Sequence, residues 1–213
     1  YRTLPPESLA RDAFPLSPAG PNVLFLSRVH YKKGVDVLLR AGAILKQKHP
    51  GLRVLIAGRG DDAYFAEQKA LASSLGLDGC AHFLGQVVGE QKLALYRACD
   101  VFALPTSQEN FGFVFFEALA CGTPLVTTRD VDTWKELESS GAGVTAPRTP
   151  EAFADAIDRL FSDPTRRARG EQARRWVFEW LDPDRILAQF VAMYEGCLAR
   201  ANAGVKAGAS TRG

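Results

Sequence analysis

Short apolar runs of strand length alternate with helix-period stretches from residue 22 to residue 146. NVLFLS (22–27) opens the series, and a helical pattern with apolar positions at Val35, Leu38, Gly42 and Leu45 follows it. LRVLIAG (52–58) is a second strand, followed by a helix over 62–75 that stops at Gly76. AHFLGQV (81–87), DVFALP (100–105), PLVTT (124–128) and GAGVTA (141–146) supply four more strands. Between them lie helices at QKLALYRAC (91–99), from Phe113 to about Cys121-Gly122, and at VDTWKELES. PESLARDAF is a short helix ahead of the series.

From Thr149 onward the pattern is helical only. Thr149-Pro150-Glu151 has the form of an N-cap with Pro at the first helical position. Phe153, Ile157, Leu160 and Phe161 then share one face. A further helix starts near Asp163-Pro164, and a last one, Pro183 to Ala201, carries Ile186, Phe190, Met193, Tyr194 and Cys197 on one side. The small, polar residues 202–213 read as a flexible tail, residues 1–20 as a separate lead-in segment, and 21–201 as one domain.

Six strands alternating with helices predict a doubly wound, parallel α/β sheet of Rossmann-like type. Its near-continuous apolar strands fit burial on both faces. In the usual order 3-2-1-4-5-6, strands 1 and 4 are neighbours at the switch point, and ligands bind beyond their carboxyl ends. The loops after strands 1 and 4 should therefore be chemically unusual.

Both are. After strand 1 comes SRVHYKKG (27–34), which has no glycine before Gly34 and so lacks the dinucleotide fingerprint. It carries Arg28, His30, Lys32 and Lys33 instead, cations suited to a diphosphate whose charge grows as it leaves. After strand 4 comes TSQENFG (106–112), polar, then aromatic, then Gly112, with a helix starting near Phe113. A helix N-terminus offers free N–H groups to a phosphate. Glu109 stands ahead of this helix and Glu117 about one turn inside it, leaning back toward its start. Carboxylates beside a diphosphate make sense as acceptors for the hydroxyls of ribose or a sugar.

Other features change the picture less. With 46% hydrophobic and 23% charged residues the composition is that of an ordinary globular chain, and a net charge of +2 gives no reason to expect nucleic acid. No apolar run is long enough for a membrane span. The chain begins at Tyr1 without Met or a signal-peptide pattern and reads as a fragment of a cytoplasmic protein. Cys80, Cys99, Cys121 and Cys197 have no metal spacing and read as reduced, mostly buried thiols. His30, His49 and His82 form no metal set. Asp130-Val131-Asp132 reads as a loop and helix N-cap, AGRGDD (57–62) as a tight turn, and the basic run TRRARGEQARR (165–175) as a solvated helix face.

Together, Arg28-x4-Lys33-Gly34, GRGDD at 58–62, FLGQV at 83–87 and the Glu109-Asn-Phe-Gly-x4-Glu117-Ala-x-Ala-Cys-Gly-x-Pro element resemble the C-terminal, donor-binding domain of the retaining family 4 (group 1) glycosyltransferases, which have the GT-B fold. The resemblance covers roughly residues 21 to 200, and RWVFEWLDPDRILAQFVAMY resembles that family's closing helices, the last of which often packs back toward the N-terminal domain. It implies that Arg28 and Lys33 hold the donor diphosphate and that Glu109 binds hydroxyls of the transferred sugar, with the backbone of Asn110, Phe111, Gly112 and Phe113 nearby. Glu117 would take the ribose hydroxyls, Val87 would lie against the base, and Gly58 would count among the donor-binding positions. The implied donor is a UDP- or GDP-sugar. The implied mechanism is same-face attack with retention, without a metal, cofactor or enzyme nucleophile. The acceptor-binding N-terminal domain of the parent protein is the implied partner, and any membrane-surface contact, at the inner face, would come through that parent. The alternatives are a non-catalytic nucleotide-binding domain and a GT-B-fold epimerase acting on a UDP-sugar.

Overall fold

The computed structural model describes residues 1–210, with side chains through residue 200. In chain order its elements are α1 (Ser8–Ala13), β1 (Asn22–Leu26), α2 (Val35–Lys48), β2 (Arg53–Ala57), α3 (Asp62–Ser74), β3 (Ala81–Gly85), α4 (Gly89–Ala98) and β4 (Val101–Leu104). There follow α5 (Phe113–Ala120), β5 (Leu125–Thr127), α6 (Trp134–Ser139), β6 (Gly143–Thr145), α7 (Pro150–Ser162), α8 (Arg166–Trp180) and α9 (Pro183–Ser210). A single 3-10 turn, Tyr31–Lys33, sits between β1 and α2.

All six strands pair in parallel, in the order β3-β2-β1-β4-β5-β6. This is the doubly wound sheet expected, with β1 and β4 side by side. Their ladder is short. It joins Val23 to Val101 and Leu24 to Phe102, whereas β1 and β2 pair over five residues from Asn22–Arg53 to Leu26–Ala57. Beyond Leu24 and Phe102 no ladder pairs the two strands, and the crevice of the switch point lies above that end.

β1, β2, β4 and β5 are buried nearly throughout. β3 and β6 are not, and every residue of β3 is half-buried. Each lies at an edge with one neighbour, so the two-faced burial expected of all six strands holds only for the central four. The core fills with Tyr96 and Phe115 set edge-on against Phe102, at ring separations of 5.5 and 6.0 Å. Helix starts follow local chemistry. The Asp61 carboxylate accepts from the N–H groups of Ala63 and Tyr64 at the head of α3, and Thr149 Oγ1 accepts from Ala152 N–H ahead of Pro150 in α7.

The chain divides into two units, Tyr1–Val177 and Phe178–Gly213. Within the second, Phe190, Met193, Tyr194 and Cys197 of α9 are exposed and Ile186 is half-buried. α9 spans Pro183–Ser210, past the Ala201 end expected. The tail expected at 202–213 lies outside the described side chains, and 211–213 outside the described residues altogether. No helix among the described residues is long and apolar enough to cross a membrane.

Candidate functional site

The loop after β1 and the loop after β4 meet over the crevice. Ser107 N–H donates to Lys32 O at 2.8 Å, and Lys32 Nζ donates to Gln108 Oε1 at 3.2 Å. Lys33 Nζ forms an ion pair with Glu109 Oε2, with both side chains largely shielded, at 13% and 26% exposure. Gly34 is left-handed (φ 71°) and lies so close to Pro105 that a Cβ would overlap the Pro105 carbonyl oxygen. Backbone permissiveness at this glycine is what lets the two loops touch. Arg28 is exposed and has no hydrogen-bond or ion-pair partner among the described residues.

Glu109 is fixed from the other side by its own backbone. Its N–H donates to Asp130 O at 3.1 Å and its carbonyl accepts from Asp132 N–H at 2.9 Å. Asp130-Val131-Asp132 therefore braces the Glu109 loop through its main chain. It does not cap α6, whose N-cap is Thr133, and Thr133 Oγ1 instead donates to Phe111 O at 3.0 Å. Among the described residues no group of three His, Cys, Asp or Glu could hold a metal ion.

Asn110 is exposed and Phe111 half-buried, the Phe111 ring stacking on Phe116 at 4.6 Å. Gly112, at φ 69°, is the N-cap of α5 and supplies no side-chain cap, so the first N–H groups of the helix stay available to a ligand. A Cβ at Gly112 would run into the Phe115 ring. Phe113, the first helical residue, is 73% exposed.

Glu117 sits in a second cluster. Its Oε1 accepts from Tyr1 O–H at 2.6 Å and from Lys92 Nζ at 2.7 Å, and its Oε2 from Tyr96 O–H at 3.4 Å. Burial, then the hydrogen bond to Glu117, pushes the Tyr1 phenol far above its ordinary 10.0, and burial followed by the Glu117 charge does the same to Tyr96. Both phenols therefore stay protonated and act as donors. Lys92, Tyr1 and Tyr96 carry no motif. They reach Glu117 from α4 and from the lead-in segment, and only the rotation of α4 brings its lysine and tyrosine to this side.

Val87 is buried and its neighbour Val88 is 62% exposed, in the loop between β3 and α4. Gly58 has φ 144° and its Cβ position is filled by Ser27 O. The need for glycine there is met by the approach of the β1 and β2 loops, which are further joined by the Val29 N–H to Arg59 O bond at 2.9 Å. The basic run 165–175 is not a free face: Arg166 pairs with Asp100 at 2.6 Å, Arg169 with Asp163 at 2.9 Å, and Arg174 donates to the Tyr1, Arg2 and Ala120 carbonyls. A hollow of about 600 Å³ lies at the amino ends of β1 and β4, around Asn22, His49, Arg97 and Asp100. Its Asp100 is taken up by Arg166 and by Asn22 N–H, so the crevice over β1 and β4 is the stronger site.

Residues 9–176 match the family described as Glycosyl transferases group 1. The chain belongs to the group 1 glycosyltransferases. It is 36% identical over 204 residues to a D-inositol 3-phosphate glycosyltransferase of Salinispora tropica, covering 90% of this chain and 41% of that protein. It is 32% identical over 175 residues to an uncharacterized glycosyltransferase of Methanocaldococcus jannaschii, covering 81% of this chain and 44% of that one. The chain thus spans less than half the length of these two relatives. Among solved structures, Anabaena HepE in complex with UDP superposes with a TM-score of 0.79 at 23% identity, over 92% of this chain and 54% of that one. Sucrose-phosphate synthase from Thermosynechococcus elongatus gives 0.74 at 27% identity, over 92% of this chain and 50% of that one. The fold is thus one Rossmann-like half of the GT-B architecture seen in such glycosyltransferases.

Proposed function

We propose that this chain is the donor-binding half of a retaining glycosyltransferase that uses a nucleotide-diphospho-sugar. The observation that carries the reading is the contact of the Lys33 and Glu109 loops across the β1/β4 crevice. A lysine ammonium has three donors, so Lys33 can keep Glu109 and still reach a diphosphate oxygen. Glu109 keeps Oε1 for a sugar hydroxyl. Arg28 adds a second cation, and the open N-terminus of α5 adds backbone donors from Gly112 and Phe113. At Glu117 the long Tyr96 bond leaves Oε2 with acceptor capacity for a ribose hydroxyl. Val87 backs the base, with Asn110, Phe111 and Gly58 shaping the surrounding backbone.

In this reading positive charge at Arg28, Lys33 and the helix start stabilises the departing diphosphate more than the bound donor. The acceptor attacks from the same face, and the reaction needs no metal and no enzyme nucleophile. The acceptor site belongs to an N-terminal domain of the parent protein, placed in the cytoplasm. HepE was solved with UDP, which makes UDP the first probe.

Calorimetry with UDP, GDP and ADP tests the donor reading directly. One of them is expected to bind, and Lys33→Ala to weaken it at least about tenfold, the loss of a charge-assisted contact. Binding by none of the three, or full affinity in Lys33→Ala, overturns the assignment. In the parent protein, turnover is expected to survive EDTA.

A further inference from the structure

Arg148 comes from the loop between β6 and α7 and belongs to neither loop of the crevice. Its Nε donates to Pro105 O at 2.9 Å and its Nη2 to Tyr31 O at 2.9 Å. Pro105 leads into the loop that carries Glu109, and Tyr31 opens the 3-10 turn that carries Lys32 and Lys33. One guanidinium thus grips the main chain of both site loops from outside.

The grip matters because of where the sheet stops. The β1–β4 ladder ends at Leu24 and Phe102, so the backbone above it has no strand pairing to hold the two loops at a set distance. Among the described residues, the hydrogen bonds and ion pairs across that gap are those of Ser107 N–H and Oγ to Lys32 O, the Lys32–Gln108 and Lys33–Glu109 side-chain contacts, and Arg148. Of these, the lysine contacts use groups that a diphosphate and a sugar would also engage. Arg148 uses carbonyls that a donor does not need. Its donors lie in one plane at fixed angles, so satisfying both carbonyls sets their separation, which a lysine's single ammonium cannot reproduce in the same way.

We propose that Arg148 is a positioning residue for the diphosphate site: it fixes the spacing across the β1/β4 crevice and so holds Lys33 in register with the Glu109 loop. The inference rests on the donor reading for its ligand, and on the hydrogen bonds alone for its structural half. A displacement of about 1 Å in such a site is enough to cost about a hundredfold in rate.

Two measurements on this chain test it. Binding of UDP, GDP or ADP, whichever the wild type takes, is expected to fall at least tenfold in Arg148→Ala. The matching nucleoside monophosphate should weaken less than threefold, with Arg148→Lys no better than halfway in between and millimolar guanidinium restoring part of the alanine variant's affinity. Equal losses for mono- and diphosphate, alongside a lowered Tm, would mean a merely structural role and overturn the proposal, as would wild-type affinity in Arg148→Ala. The second measurement needs no ligand. Amide exchange at Ser107, whose N–H donates to Lys32 O, is expected to quicken at least tenfold in Arg148→Ala while Phe102 N–H is unchanged. Unaltered Ser107 exchange overturns the strap even if nucleotide binds. Absent nucleotide binding in the wild type with quickened Ser107 exchange instead overturns the donor reading, and with it the diphosphate half of the inference.

Discussion

Glu109 and Glu117 stand eight residues apart, yet each faces a different lysine, Lys33 on the β1 side and Lys92 on α4. Splitting the two acids this way suits two sets of hydroxyls. Glu117→Ala is expected to cost about 1–3 kcal/mol of nucleoside diphosphate affinity by calorimetry, the range for leaving polar partners unpaired. Deoxyribose diphosphates should then discriminate poorly between variant and wild type. Gly34 bears on the same site differently. Gly34→Ala forces a side chain into a left-handed conformation and against Pro105 O. The expected loss is about 1–3 kcal/mol of stability, read as a fall of roughly 3–10 °C in Tm. The meeting of the Lys33 and Glu109 loops was legible in the sequence because strand order alone puts the loops after strands 1 and 4 together, and unusual charges stand in both. Lys92 and Arg148 were not. Each meets its partner only after a helix or a distant loop has been set in place, 25 residues away for Lys92–Glu117 and 117 for Arg148–Tyr31.

Among elements, α2 and α7 pack on each other, and Asp158 of α7 pins the C-terminal end of α2. It accepts from Lys48 Nζ at 2.6 Å and meets His49 Nε2 at 2.7 Å. The Lys48 bond, then the His49 bond, holds the Asp158 carboxyl below its ordinary 3.8. The folded chain therefore binds fewer protons than the unfolded one just below that value. The stabilisation is full above pH 3.8 and is lost as pH falls through the folded pKa. Asp158→Asn is expected to lower stability by roughly 0.5–1 kcal/mol at pH 7, a difference that closes in urea melts toward pH 2. His82 on β3 acts in the same sense at higher pH. Burial, then Arg53, holds it below 6.5, and its Nε2 is buried without a hydrogen-bond partner. Protonation then favours the unfolded chain, so stability drops as pH falls below 6.5. His82→Phe should flatten that part of the Tm profile. Element order could be read from apolar runs and breakers, since Gly76 and Pro105 punctuate as expected. The half-burial of β3 could not, because AHFLG looks like any core strand and only the strand order makes it an edge.

For the whole molecule, the chain matches about half of the solved chains it resembles. It is expected to bind a nucleoside diphosphate and to transfer no sugar by itself, and turnover by residues 1–213 with any donor and acceptor would contradict this. The alternative of a non-catalytic domain is separable in the parent protein, where Glu109→Ala should abolish transfer if the donor reading holds. The apolar side of α9 was visible as a periodicity, but periodicity says which residues share a face and not whether anything covers it. Leu187, Phe190, Tyr194 and Leu198 are each more than half exposed.

The short β1–β4 ladder has a mechanical consequence. Within the sheet, β3-β2-β1 and β4-β5-β6 are joined at a seam by a ladder of two residue pairs, shorter than any other in the sheet. Whatever spans the seam acts as a fastener. A diphosphate gripped from both sides would add ties across this seam, so chain and donor would reinforce each other under load.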